Sequence, residues 1–305
     1  MIHPTAIIHP KAQLAPDVEI GPYAVIDGHV AMGAGCRVGP HVYITGHTCI
    51  GANNRFYAGC VVGESPQDVK YKDEPTELRM GDNNLVREGA TVNCSARAGE
   101  ATVIGSNNFL MANCHVAHNV VLGEHVILAN GALLAGHVEV GDRAFISGNC
   151  LVHQFIRVGT LAIMQAGSFI SLDLPPYTVA RGYNGICGLN AIGLRRAGLC
   201  QEERLELKKL YHKLFRSGTR LSTSVAKART EFASPPGTVL LDFVASAKRG
   251  VCHDTGKHKF YKGQMHELAA DYPAQNDGQP NWFEPPLPPL HNKRPRSASL
   301  VGSLP

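Results

Sequence analysis

No stretch of this chain approaches eighteen consecutive apolar residues, so no membrane-crossing helix is expected. The opening segment, MIHPTAII, has no basic region followed by a long apolar run, and no export signal is expected. The charge excess is small, formally +4 over 305 residues, and spread out. It carries no nucleic-acid signature. Nine cysteines make an odd number, with no C-x-x-C pair among them. That disfavours a metal ribbon or a disulfide framework. Reduced thiols without an export signal point to the cytoplasm. Tryptophan occurs once, whereas glycine occurs 32 times and suits tight corners that need positive φ.

What the chain does have is a six-residue beat. Stepping by six from Ile2 meets Ile8, Leu14, Ile20, Ile26, Met32, Val38 and Ile44, and the series runs on to Met164 and Ile170. Of the 29 positions at this spacing, only Asp68 and Glu74 are not apolar; at 44% apolar content about 13 apolar hits would arise by chance. Glycine often follows the apolar residue, as at Gly21, Gly33, Gly105, Gly123, Gly141 and Gly159. Hexads of this kind predict a parallel β-helix, a triangular prism with one hexad per face. The residue four places after each apolar one is mostly small: Ala6, Ala12, Ala24, Cys36 and Cys60, for example. These are the two inward positions. Cys36, Cys60, Cys114 and Cys150 therefore read as core filler. Three hexads make a coil of 18 residues, so residues 18 apart stack at about 4.8 Å.

Residues 1–181 are predicted to form the coils. Two segments interrupt them: Glu64–Leu78, rich in charge and proline, and Asn93–Thr102, small and polar. Both should project as loops, where functional groups gather. Pro175-Pro176 is expected to end the last coil. Residues 182–252 should form a small helical domain. Leu207, Leu210, Tyr211 and Leu214 follow helical spacing, and a second helix is expected near Thr238–Arg249. Residues 253–305, with EPPLPPL and KRPRSAS, read as a disordered tail.

The candidate chemistry lies in outward histidines. His118 stacks over Gly136, and Gly136 over Gln154; His137 and His153 are chain neighbours of that column, and His115 precedes His118 by three. None sits on an inward position. A neutral imidazole is the usual general base near pH 7, and it suits deprotonating a hydroxyl that attacks a carbonyl. The backbone N–H of Gly136 would serve as oxyanion donor. The competing possibility is zinc held by histidines, as in a lyase or hydratase of the same fold.

The segments NCHVAHNVVLG, LANGALLAGHVEVG and LVHQFIRVG, with SPQDVKY, GDNNLVRE, LPPY and GLRRAGL, resemble the UDP-N-acetylglucosamine O-acyltransferases that begin lipid A synthesis. The resemblance covers about residues 1–252. A sister family of UDP-sugar N-acyltransferases shares an AHN segment but usually has a separate N-terminal domain before its coils. The resemblance implies a left-handed parallel β-helix, a homotrimer, and sites in clefts between subunits. It implies transfer of an (R)-3-hydroxyacyl chain from acyl carrier protein to the 3-hydroxyl of UDP-N-acetylglucosamine. No cofactor or metal is implied beyond the phosphopantetheine that carries the donor.

By the same resemblance His118 is the general base, Gly136 the oxyanion donor, and Asp68 belongs to the catalytic set. Gln67, Lys70, His115, His137, His153, Gln154, Asn190 and Arg196 would bind substrate, the last two at the nucleotide. Met164 and Ala166 would lie at the acyl-chain pocket. The chain departs from the family in four places. Asn119 stands where many relatives have Asp, and it orients an imidazole without adding negative charge. Ile192 and Ala197 replace an acidic residue and an arginine, and Gln165-Ala166 replace a glycine pair. Between Arg195 and Glu231, ten basic residues face four acidic ones, an excess that suits docking of an acidic carrier protein.

Overall fold

The computed structural model describes residues 1–256. Up to Arg181, strands of two to four residues follow one another around a prism, separated by turns, and each pairs in parallel with the strand one coil away. Three sheets result. The first face holds nine strands, from Ile7–Ile8 to Phe169–Ile170. The second holds eight, from Gln13–Leu14 to Arg157–Val158. The third begins at Glu19–Ile20 and holds eleven. Registers such as His115 to Leu133 to Leu151 to Phe169 keep the expected 18-residue step. No helix among the described residues is long and apolar enough to cross a membrane.

The core follows the hexads. On the first face Ile26, Ile44, Val62, Val92, Val116, Leu134, Val152 and Ile170 stack fully inside. Each such side chain contributes about 1.5–3 kcal/mol by leaving water. Beside them runs the small column Ala24, Val42, Cys60, Ala90, Cys114, Ala132 and Cys150, also enclosed. The cysteines are thus filler, as the pattern implied. Burial pushes the Cys60 and Cys114 thiols up to about 12. One polar ladder interrupts the apolar interior. Asn54, Asn84 and Asn108 occupy inward positions; the backbone N–H of Asn84 donates to Asn54 Oδ1 and that of Asn108 to Asn84 Oδ1, both at 2.9 Å.

The two interruptions project from the prism at the turn from the first face to the second. Val61 pairs with Thr91, 30 residues on, and Thr91 with His115, 24 on. The loops therefore add two hexads and one hexad, so the apolar phase survives them. Asp68 and Glu74 lie in the first loop. Ala98 lies exposed in the second, which makes its place on the six-residue grid a coincidence without packing meaning.

The end of the prism differs from expectation. Strand Thr178–Arg181 pairs with Ile163–Met164, so the third face continues past Pro175-Pro176. Strand Gly185–Leu189 then turns back antiparallel. Four helices follow: α1 (Ala191–Arg196), α2 (Gln201–Phe215), α3 (Leu221–Ala228) and α4 (Pro235–Ala245). Helix α2 starts in a capping box between Cys200 and Glu203, and buries Leu207, Leu210, Tyr211 and Leu214 as the spacing required. Helix α3, short and free of a side-chain N-cap bond, has no counterpart in the sequence expectation.

The tail expectation is corrected at its start. His253–Asp254 form a strand paired with Gly185–Ile186. The Asp254 carboxylate accepts from Tyr211 Oη at 2.5 Å and Arg216 Nε at 2.7 Å. The ordered domain thus passes residue 252; residues 257–305 lie outside the described residues.

Candidate active site

The first-to-second-face turn gathers most of the expected residues. Hexad position two places after each core residue sits at the corner. Outside the insertions, its backbone N–H points off the ladder and reaches at most a side chain of the next coil, as at Ala52 and Glu124. Pro4, Pro10, Pro16, Pro22 and Pro40, which have no N–H, occupy this same position without loss. His118, Gly136 and Gln154 are its occupants along this corner. The N–H of Gly136 donates to no acceptor among the described residues.

His118 lies against Gly136 so closely that a β-carbon at 136 would stand 2.5 Å from both Cε1 and Nε2. Glycine is needed here for space. On the other side of the ring, His118 Nδ1 is 2.9 Å from Asn119 Oδ1. Asn119, His137 and Phe155 stack 18 residues apart, with φ of 58°, 59° and 64°. The His118 and His137 rings meet edge-on at 5.3 Å, and His137 stacks flat on Phe155 at 4.6 Å. Arg249, from the segment after α4, caps this column over Phe155 and donates from Nη1 to the Gln154 carbonyl at 3.2 Å.

His115 is half-buried in the same coil as His118, its Nδ1 2.7 Å from Thr91 Oγ1. Burial, with the neighbouring His118, holds its imidazole below the ordinary range. His137 is lowered in the same way, first by burial, then by His118 and Arg97, while Glu100 and Asp68 oppose the shift. The electrostatics therefore bring Asp68 of the first loop, and Arg97 and Glu100 of the second, towards the histidine column.

None of the other expected residues hydrogen-bonds the His118 ring. Asp68 Oδ1 accepts from the Lys70 backbone N–H at 2.9 Å, a local turn rather than an ion pair with the Lys70 side chain. Gln67 and Lys70 are exposed, as are His153 and Gln154. Asn190 caps α1: its Oδ1 accepts from Gly193 N and its Nδ2 donates to the Leu161 carbonyl, each at 2.9 Å. That amide also holds α1 against the prism. Arg196 is exposed in the last turn of α1, beside the second-to-third-face turn, a different corner from His118. Ala166 is exposed at the third corner, next to Gln165, whose Oε1 accepts from Arg181 Nε at 2.7 Å. Met164 is wholly enclosed in the prism, so its place at an acyl pocket on the outer surface is corrected.

A single chain leaves the histidine column on open surface. One concavity of about 650 Å³ lies at the N-terminal end, lined by residues such as Ile2, Arg37 and Tyr57. Another, of about 210 Å³, lies under the first loop, between His47, Tyr71 and Cys94. None of the column residues lines either. No cluster of three or more His, Cys, Asp or Glu with metal-holding geometry occurs among the described residues.

Sequence reasoning missed Glu100, Ser95, Thr102, Phe155 and Arg249. The first three sit in or beside an insertion with no periodicity. Arg249 comes from about 100 residues further along the chain and is placed only by the packing of α4.

The basic excess is smaller in space than in sequence. Arg216 pairs with Asp254 and Arg229 with Asp242, acidic residues outside the counted window. That lowers the local excess from six to four. Arg195, Arg196, Lys208, Lys209, Arg220 and Lys227 remain exposed.

Residues 173–252 match the family model for the second domain of UDP-N-acetylglucosamine O-acyltransferases, and residues 101–136 match the bacterial transferase hexapeptide model. The acyl-[acyl-carrier-protein]–UDP-N-acetylglucosamine O-acyltransferase of Thermodesulfovibrio yellowstonii is 44% identical over 82% of this chain and 98% of its own. That of Trichlorobacter lovleyi is 48% identical at the same coverage. Among solved structures, the Acinetobacter baumannii enzyme superposes with a TM-score of 0.80 at 38% identity, over 83% of this chain and 99% of its own. The Arabidopsis UDP-N-acetylglucosamine acyltransferase gives 0.74 at 32%, over 83% of this chain and all of its own. Left-handed parallel β-helix, helical C-terminal domain and family models agree, and the chain belongs to the UDP-N-acetylglucosamine O-acyltransferase family.

Proposed function

We propose that this chain transfers an (R)-3-hydroxyacyl group from acyl carrier protein to the 3-hydroxyl of UDP-N-acetylglucosamine, the first step of lipid A synthesis, with His118 as general base. The observation that carries the assignment is the corner at His118. One ring nitrogen is anchored on Asn119, the opposite edge lies on Gly136, and a free backbone N–H stands beside it. In the reaction, Nε2 takes the proton as the sugar oxygen bonds to the thioester carbonyl carbon. The oxyanion accepts from the Gly136 N–H. The carbon–sulfur bond then breaks, and His118 returns the proton to the departing thiolate.

Asp68, with Gln67 and Lys70 beside it, would hold the sugar and phosphate end, and His115, His137 and His153 would shape the pocket. A homotrimer is the assembly this reading calls for. His118 and Arg196 occupy different corners of one prism, so one site containing both draws them from neighbouring chains. The exposed cations of α1–α3 would steer the acidic carrier protein. A cytoplasmic location fits these substrates.

The test is His118→Ala, expected to lower kcat by at least about 10²-fold while leaving fold and assembly intact. Near-normal turnover in a folded variant would move the base elsewhere, with His115 the next candidate. Sedimentation of a fully active monomer would refute the shared site.

A further inference from the structure

Asn119 is neutral, yet its surroundings are not. Its side chain is nearly buried and makes four contacts. Oδ1 accepts from the Ala96 backbone N–H at 2.9 Å and faces His118 Nδ1 at 2.9 Å. Nδ2 donates to Ser95 Oγ at 2.8 Å and to Glu100 Oε2 at 2.6 Å. Its own N–H donates to Thr102 Oγ1 at 2.8 Å. The amide cannot be turned over. Flipping it would set Nδ2 against the Ala96 N–H, donor to donor, and Oδ1 against the Glu100 carboxylate, acceptor to acceptor. The orientation then settles the imidazole. Facing an oxygen that can only accept, Nδ1 must carry the proton, which leaves Nε2 bare on the Gly136 side.

We infer that Glu100 is a positioning residue for the His118 base, acting through Asn119. The inference rests on the assignment of His118 as base. The carboxylate draws on the Nδ2–H, and the conjugated amide passes negative charge to Oδ1, where it strengthens the bond from Nδ1–H. The imidazolium formed during proton transfer thereby meets a carboxylate at one amide's remove. A neutral asparagine at 119 sets the tautomer; Glu100, in the one-hexad insertion, supplies the charge. The insertion is thus part of the site, which its lack of pattern hides. Glu100 also has a weaker partner in Arg97, at 3.8 Å, in the same loop. The other titratable or charged groups facing His118 or its neighbour are His115, His137, Asp68 and Arg97.

A purely structural role for Glu100 makes different predictions. Glu100→Gln keeps an acceptor for Nδ2 and removes only the charge. It should lower kcat about tenfold, the size expected when an outer partner is removed. KM for UDP-N-acetylglucosamine should hold, and the acid limb of the kcat profile should move to lower pH. Asn119→Asp alone sets a second carboxylate against Glu100, and the pair must share a proton. It should be slower than wild type. The double variant, Glu100→Gln with Asn119→Asp, places one carboxylate directly on Nδ1 and should recover most of the lost kcat.

Nitrogen NMR of His118 should show the Nδ1–H tautomer in wild type and in Glu100→Gln, and it needs no turnover. Wild-type kcat and an unmoved acid limb in Glu100→Gln, with His118→Ala inactive, would overturn the inference and leave the base intact. So would a double variant no better than Asn119→Asp, or an Nε2–H tautomer in wild type. Full activity of His118→Ala would remove the base assignment, and the relay with it.

Discussion

Gly136→Ala isolates the space beside the base from every other property of that corner. The added methyl would lie 2.5 Å from Cε1 and Nε2 of His118. Carbon contacts relax at about 3.5 Å or more, so the ring must give way by roughly 1 Å. It can do so only by lengthening the 2.9 Å contact between Nδ1 and Asn119 Oδ1 or by turning towards His137. The N–H at 136 is retained and φ there is not positive, so the oxyanion donor and the backbone survive. A displacement of about 1 Å in a catalytic group costs on the order of 10²-fold in rate. The expected outcome is a protein of wild-type assembly and melting temperature with kcat reduced about a hundredfold and KM for the nucleotide sugar little changed. Steady-state transfer kinetics, run beside a sedimentation measurement, read both. A folded Gly136→Ala enzyme with wild-type kcat would refute the placement of the base on this glycine.

Three further outcomes follow from the packing. His115 and His137 are held neutral by burial, so below about pH 6.5 the unfolded chain binds protons that the folded chain refuses. Stability should be fully present above that pH and fall as pH drops through it; a urea midpoint unchanged between pH 7 and 5 would contradict this, and His115→Gln should flatten the dependence. Truncation after residue 256 should leave activity intact, whereas Asp254→Ala strands Tyr211 and Arg216 and should cost about 3 kcal/mol in urea denaturation. Ala166 adds a methyl where the family resemblance implies glycine, and each excluded CH₂ is worth about 0.8 kcal/mol. Acyl chains of about ten to twelve carbons should be preferred over fourteen, roughly tenfold for two carbons, with Ala166→Gly shifting the preference upward; a native preference for fourteen unchanged by Ala166→Gly would remove residue 166 from length selection.

The prism was legible because its rule is local and repeats. An inward residue such as Leu134 or Cys114 is fixed by its hexad position alone, and stacking at 18 sets His118 over Gly136 from the sequence itself. Legibility failed where periodicity stops. The first-to-second-face insertions keep the hexad phase, so an apolar residue such as Ala98 falls on the six-residue spacing although it lies exposed in a loop. Asn54, Asn84 and Asn108 sit at inward positions because their amides continue the ladder, a pairing visible only once registers of 30 and 24 residues are known. The motif that singles out Asn190 does not reveal that its amide caps α1. Met164 matched by proximity in sequence, while the hexad rule had already turned it inward. His253–Asp254 form a strand because Gly185–Leu189 offers an edge, which composition does not reveal.

The most direct measurement is product formation by the purified chain from a panel of (R)-3-hydroxyacyl carrier-protein thioesters and UDP-sugars, with His118→Ala run in parallel. The account predicts a 3-O-acylated UDP-N-acetylglucosamine from the wild-type protein and at least about a hundredfold less from the variant. No transfer to any UDP-sugar by the folded, assembled protein, or equal transfer by both proteins, would contradict it.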